Sequence, residues 1–221
     1  MKKVLITGAS GGLGSAVAKR FKQEGYRLFL HSHKSREGFL NADLSKENEV
    51  KKLLKKTGRN IDIFIHSVSA PIENKLIEEK SWADFESHLD LQLKAFFLIA
   101  KSIFPHMKTK KWGRIIPIAT EYTEGAPPTH ISDYVTAKYA MWGFAKCIAV
   151  EYGKFGITCN AVSPGTMETN LTAKLPKKLK EIIAAGYQSG TLVQPDAVAE
   201  KITFLCSEKA KDINGENIII T

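Results

Sequence analysis

Cysteine is scarce and odd in number: Cys147, Cys159 and Cys206 share no metal-ligand spacing, which argues against a disulfide framework and against a zinc site. Long apolar runs are missing as well. No stretch approaches the ~20 residues of a membrane helix. After Met1-Lys2-Lys3 only Val4-Leu5-Ile6 stands before the first glycine, too little for a signal-peptide core. These gaps give the expectation of a cytoplasmic protein with no membrane partner. Acidic residues are outnumbered, 23 against 32 basic ones, for a net charge of +9. The excess is scattered over Lys51-Lys52, Lys55-Lys56, Lys108 to Lys111 and Lys174 to Lys180. Such clusters read first as solvated faces, with an acidic partner (a phosphorylated substrate, coenzyme A or an acidic carrier) as the alternative. No recognition motif interleaves them with aromatics, so nucleic acid is not expected. No repeat, low-complexity tract or linker divides the chain, and residues 1–221 read as one domain, long enough to bury a core.

What the chain does contain is a series of short, nearly continuous apolar runs: Val4–Ile6, Leu28–Leu30, Ile61–Ile65, Ile115–Ile118, Ile157–Val162 and Ile218–Ile220. Runs without polar alternation suit strands buried on both faces of a parallel sheet. Helix-period segments lie between most of them. Leu13, Val17 and Phe21 share a face, and Val50, Leu53 and Leu54 follow Ser45 as a candidate N-cap. Ser81-Trp82-Ala83-Asp84 has the form of a capping box that opens a long segment through Leu89, Leu93 and Phe96. Another helix is expected from about Asp133 to Tyr152. The alternation predicts an α/β fold: a single-domain, Rossmann-type doubly wound parallel sheet with helices on both faces. Between His31 and Phe39 there is no room for the usual crossover helix, and a short basic loop is expected there.

The stretch Ile6-Thr7-Gly8-Ala9-Ser10-Gly11-Gly12-Leu13-Gly14 admits two chemistries. Gly8-Ala9-Ser10-Gly11-Gly12 matches a nucleophile elbow, but that arrangement needs an oxyanion donor from an earlier strand's loop, and this is the first strand. The spacing T-G-x-x-x-G-x-G instead forms a tight turn that opens a helix near Gly12–Leu13. Its bare glycines let backbone N–H groups approach a pyrophosphate. Ser10 is then a loop residue that can meet phosphate.

Tyr134 and Lys138 stand four apart, on one helix face. A tyrosine with a pKa near 10 is a poor acid–base catalyst, and a nearby ammonium is expected to lower that value. A hydroxyl at Thr120 follows the apolar strand ending Ile118-Ala119, at the edge where open α/β sheets bind ligands.

With Gly113-Arg114-Ile115-Ile116, and with Asn160-Ala161-Val162-Ser163-Pro164-Gly165 followed by Thr169, the chain resembles the short-chain dehydrogenase/reductase family over essentially its whole length. The resemblance implies nicotinamide-dependent reduction of a carbonyl, or its reverse, with Tyr134 as proton donor, Lys138 lowering its pKa and holding the nicotinamide ribose, and Thr120 in place of the usual serine. Gln92 takes the position of a relay asparagine. The family's N-N-A-G stretch appears as His66-Ser67-Val68-Ser69, with His66 read as a core histidine at a strand end. The cofactor contacts implied are Gly8, Ser10, Gly12, Leu13, Gly14, Ser67, Val68, Tyr134, Lys138, Pro164, Gly165 and Thr169, with Asp43-Leu44 beside the adenine.

The end of the second strand reads His31-Ser32-His33-Lys34-Ser35-Arg36, with no carboxylate before Glu37. An acid there would repel a 2′-phosphate, whereas Ser32, His33 and Lys34 suit one, so NADP(H) is the expected cofactor and no metal is implied. Gly11 counts the other way, because many NADP-preferring relatives carry a basic residue there. The overall likeness is greatest to 3-oxoacyl-carrier-protein reductases, which implies a small-molecule or carrier-linked carbonyl substrate. A dehydrogenase of a sugar or other polar alcohol, or a non-catalytic NADP-binding sensor or assembly protein, are the alternatives. By the same resemblance the helices near 81–104 and 133–152 pack between subunits of a homodimer or homotetramer.

Overall fold

Val4 and Ile6 pack into one buried layer and Leu5 into the other, which is why the first strand shows no polar alternation. The computed structural model describes residues 1–169, 171–173 and 175–221. Strands β1 (Lys3–Thr7), β2 (Arg27–Ser32), β3 (Leu40–Asn41), β4 (Ile63–His66), β5 (Gly113–Pro117) and β6 (Ile157–Cys159) form a parallel sheet in the order β3-β2-β1-β4-β5-β6. The order reverses beside β1, so the carboxyl ends of β1 and β4 border the crevice where such sheets take ligands.

One face is covered by α1 (Gly12–Gln23) and α7 (Pro195–Leu205), through Leu13, Val17, Phe21, Val198 and Ile202. The other is covered by α2 (Glu47–Thr57), α4 (Ala95–Lys110) and α5 (Ser132–Tyr152), through Leu53, Phe96, Ile99, Met141 and Ile148. Helices on both faces and parallel pairing agree with the doubly wound expectation. No helix among the described residues is long and apolar enough to cross a membrane.

Four local features refine the sequence reading. The crossover from β2 to β3 carries no helix, and Gly38 turns it with a positive φ of 77°. The run Ile157–Val162 is not one strand. It breaks at the buried Asn160, whose side chain donates to Ile213 O at 2.8 Å and accepts from Glu216 N at 3.0 Å, tying the break to the C-terminal segment. β7 (Ala161–Pro164) then pairs with β8 (Asn217–Ile220), while the bridge from Ile118 to Val162 keeps it alongside β5. Ser45 does not cap α2: its hydroxyl donates to Asp43 Oδ1 at 2.7 Å, one residue too early, and Lys46 holds the cap position without a side-chain bond. The segment from Ser81 does open with the capping box, Ser81 N donating to Asp84 Oδ2 at 2.7 Å. It is not one regular helix, however. A π turn at Asp90–Lys94 separates α3 (Trp82–Leu89) from α4, and Gln92 sits in that turn. Single π turns inside helices often mark functional sites.

Candidate active site

The glycine turn after β1 is shaped by three close approaches. Gly8 has a φ of +69°, and a Cβ there would lie 2.0 Å from Ser67 O. A Cβ on Gly14 would lie 2.2 Å from Gly8 O, and one on Gly12 only 2.6 Å from Thr169 Cγ2. Gly11 precedes α1 without any side-chain cap, so the first N–H groups of the helix face outward with their donor capacity available. His31 props the turn from below. Its Nδ1 accepts from Gly8 N at 3.2 Å and its Nε2 donates to Ala42 O at 2.9 Å. Burial holds that imidazole in its neutral form, lowering its pKa.

The other predicted cofactor residues collect around this turn with different exposures. Ser10 Oγ lies 3.0 Å from Ser32 Oγ, while His33 and Lys34 are exposed at the start of the basic loop. Ser67 and Val68 pack against Gly8. Leu13 and Leu44 bury their side chains in the core, leaving only backbone for a ligand. Asp43 is held by Ser45 and lies 3.2 Å from Lys46 Nζ. Pro164 ends β7 and Gly165 follows it: Gly165 N donates to Ile220 O at 2.7 Å, and a Cβ on Gly165 would meet Tyr187 Oη at 2.6 Å.

Tyr134 enters α5 at its first turn and Lys138 follows on the same face, both buried. Thr120, also buried, follows the carboxyl end of β5, and its hydroxyl stands close enough to Tyr134 to pull the phenol's pKa down. The acidities differ from the sequence expectation. Burial pushes the Tyr134 phenol up to about 12, outweighing the Thr120 bond that pulls it down. Burial likewise brings Lys138 down to about 7. Lys138 does not lower the phenol: stripped of its proton near pH 7, it is a neutral amine where the phenol titrates, and its Nζ donates to Ile118 O at 2.6 Å and lies 5.6 Å from the centre of the tyrosine ring.

His66 is a structural tie, as read from sequence. Its Nε2 donates to Leu91 O in the π turn at 2.9 Å and its Nδ1 accepts from Thr7 Oγ1 at 2.9 Å; burial depresses its pKa to about 3. Gln92 is fully buried one residue beyond that tie. Its Nε2 donates to His88 Nδ1 at 3.2 Å, which puts the His88 proton on Nε2, facing Asp133 Oδ2 at 3.9 Å. Gln92 Oε1 is a buried acceptor with no partner among the described residues.

Three participants escape sequence reasoning. Lys80 Nζ reaches Asp133 Oδ1 at 2.9 Å, and the two side chains are 0% and 3% exposed, a buried ion pair directly beneath Tyr134. Asp133 Oδ1 also accepts from Tyr134 N at 2.9 Å, and His88 meets the Tyr134 ring edge-on at 5.8 Å. Only the position of Asp133 next to Tyr134 hints at this cluster; Lys80 and His88 carry no local signal. On the opposite rim Tyr187 Oη donates to Glu121 Oε1 at 2.6 Å and accepts from Thr166 N at 2.7 Å.

A family model described as enoyl-(acyl carrier protein) reductase matches residues 8–221. The 3-oxoacyl-(acyl-carrier-protein) reductase of Rickettsia typhi is 31% identical, covering 98% of this chain and 94% of its own. Nodulation protein G of Rhizobium sp. is 30% identical over 98% and 94%. Among solved structures, levodione reductase superposes with a TM-score of 0.91 at 25% identity, over 99% of this chain and 95% of the other. A putative gluconate dehydrogenase from Agrobacterium tumefaciens shares the fold with a TM-score of 0.90 at 22% identity, over 99% and 94%. A glycine turn at the switch of a parallel sheet, a Tyr–Lys pair under its rim and a likeness spanning the whole chain converge: the protein belongs to the short-chain dehydrogenase/reductase family of nicotinamide-dependent oxidoreductases.

Proposed function

We propose that the chain is an NADP(H)-dependent reductase that converts a carbonyl to an alcohol, with a 3-oxoacyl thioester as substrate class. The observation that carries this reading is the convergence of the Thr120 and Tyr134 hydroxyls, with Lys138 one helical turn behind, on the sheet edge that holds the uncapped glycine turn. The donor set fits a dinucleotide: free N–H groups at Gly12–Leu13 for phosphate, and no room for a Cβ at Gly8, Gly12 or Gly14. Bound nicotinamide supplies or accepts the hydride.

The chain's own part is proton delivery and orientation. Thr120 and Tyr134 hold the carbonyl oxygen between two hydroxyls, and Tyr134 Oη gives its proton to that oxygen as it becomes an alkoxide. Burial makes Tyr134 a loaded acid throughout the neutral range. Lys138, one helical turn behind, is brought by burial close to half-protonation near pH 7, and its Nζ is fixed by the bond to Ile118 O. Gln92, fixed by His88, offers its unpaired Oε1 as the acceptor that holds the relay in place.

Preference for NADP(H) rests on the end of β2, where Ser32, His33, Lys34 and Arg36 precede the first carboxylate, Glu37. The substrate class rests on the relatives named 3-oxoacyl reductases and on the net charge of +9, which suits a carrier-linked or phosphorylated acyl group. The test follows NADPH and NADH absorbance with a short 3-oxoacyl thioester, for the wild type and Tyr134→Phe. NADPH is expected to be the better donor, and the substitution to lower turnover by about 10²- to 10⁴-fold. Tight NADPH binding without turnover of any thioester would sink the acyl assignment and move it to another carbonyl.

A further inference from the structure

On helix α6 (Lys177–Gly186) the half-buried inner stripe is Lys180, Ile183 and Ala184, so a lysine stands among apolar residues on the inward face. Leu179 and Ile182 point outward, 40% and 61% exposed, while the side chain of Lys180 is turned inward and only 17% exposed. An inward lysine beside outward aliphatics loses both hydration and apolar burial, so an anion on the inner side is the physical reason to look for. On that side lies a cleft of about 540 Å³ lined by Ser10, Gly11, Gly12, Ser15, Glu168, Thr169, Ala173 and Lys180. Glu168 puts a carboxylate at the mouth of a cleft otherwise built from the glycine turn, and Lys180 Nζ neutralises it at 3.3 Å.

We infer that Lys180 is a diphosphate-binding residue: its ammonium leaves Glu168 and pairs with the diphosphate bridge of the dinucleotide, closing α6 over the glycine turn. This rests on the reductase reading above and names a further residue of its cofactor site. The exchange is electrostatically sound. The carboxylate is 75% exposed and regains water when released, whereas the lysine trades one carboxylate for a group of higher charge. Thr169 already packs on Gly12, and Lys180 of α6 lines the same cleft as Ser10, Gly11 and Gly12, so α6 and the turn are neighbours before any movement. No residue of α6 is buried, so changing Lys180 leaves the core intact.

The experiment is equilibrium titration by nucleotide fluorescence, with NADPH and NADH, of the wild type, Lys180→Met and Glu168→Gln, followed by displacement with inorganic pyrophosphate. Lys180→Met is expected to weaken both dinucleotides equally, by about tenfold, and to blunt displacement by pyrophosphate. Glu168→Gln should bind both more tightly, because it removes the competing carboxylate. Unchanged affinity of Lys180→Met for both nucleotides overturns the inference. Weakening confined to NADPH overturns it too, since that assigns Lys180 to the 2′-phosphate. A wild type that binds neither dinucleotide overturns the reductase reading itself, and this inference falls with it.

Discussion

Tyr134 and Lys138 occupy adjacent turns of one helix, and burial drives their acidities in opposite directions. The lysine has a measurable consequence for stability. In the unfolded chain it keeps its proton to about 10.5, and in the folded chain it releases it near 7. Between those values the unfolded state binds more protons, so the contribution of this residue to stability rises with pH, by at most about 1.4 kcal/mol per pH unit. Tyr134 works in reverse and later: its folded proton persists to about 12 against 10 when unfolded, so its contribution falls only above pH 10. Urea denaturation of the nucleotide-free wild type and Lys138→Met at pH 6.5 and pH 9 checks the first effect. The difference between them should shift towards the wild type at pH 9, and parallel stabilities at both pH values would refute the buried, uncompensated ammonium. The pair itself is legible from a four-residue spacing. Its acidities are not, because they depend on how completely the fold removes both groups from water and on the Thr120 hydroxyl beside Tyr134.

At the scale of elements, the junction of α3, the π turn and α5 is held by charge. Lys80, in the segment leading into α3, is paired with Asp133 out of water. Removing one partner of such a pair leaves an uncompensated buried charge, at a cost of about 3–5 kcal/mol. Lys80→Met should therefore lower the urea midpoint strongly, while Lys80→Met with Asp133→Asn should recover much of the loss, since the amide can still accept from Tyr134 N. Equal midpoints for the single and double variants would mean the charge is not what destabilises. Sequence reading succeeded for elements whose signal is local. The strands β1, β4 and β5 are apolar on both faces, α1 carries its i, i+4, i+8 stripe, and the Ser81–Asp84 box caps α3. It failed where a distant group decides. Asn160 breaks a continuous apolar run because Ile213 and Glu216 take its amide, Asp43 draws Ser45 away from the cap of α2, and His66 ties Leu91 O where the π turn forms.

For the molecule as a whole, α5 poses a question that one copy of the chain does not answer. Gly143 lies in the middle of this 21-residue helix, exposed, with no atom of the described residues within 4 Å of where a Cβ would stand. An interior helical glycine costs about 1 kcal/mol relative to alanine, and no internal contact here repays it. Tyr139 and Val150 lie on the same outward stripe at 44% and 83% exposure, and Phe97 of α4 is 41% exposed nearby. Beside them Leu89, Leu93, Phe97 and Phe144 line an apolar depression of about 370 Å³. A bare glycine flanked by exposed aromatics and aliphatics suits a second helix at short range, which supports self-association through α4 and α5. Gly143→Leu separates this from an accidental glycine. Within one copy leucine has open space and a better helix propensity, so monomer stability should hold or rise. Across a close helix–helix contact its side chain has nowhere to go, so sedimentation should show self-association in the wild type and its loss in Gly143→Leu, and a monomeric wild type refutes the contact. An oligomer that survives Gly143→Leu at the same concentration would place the subunit contact elsewhere on the molecule and leave the glycine without a role.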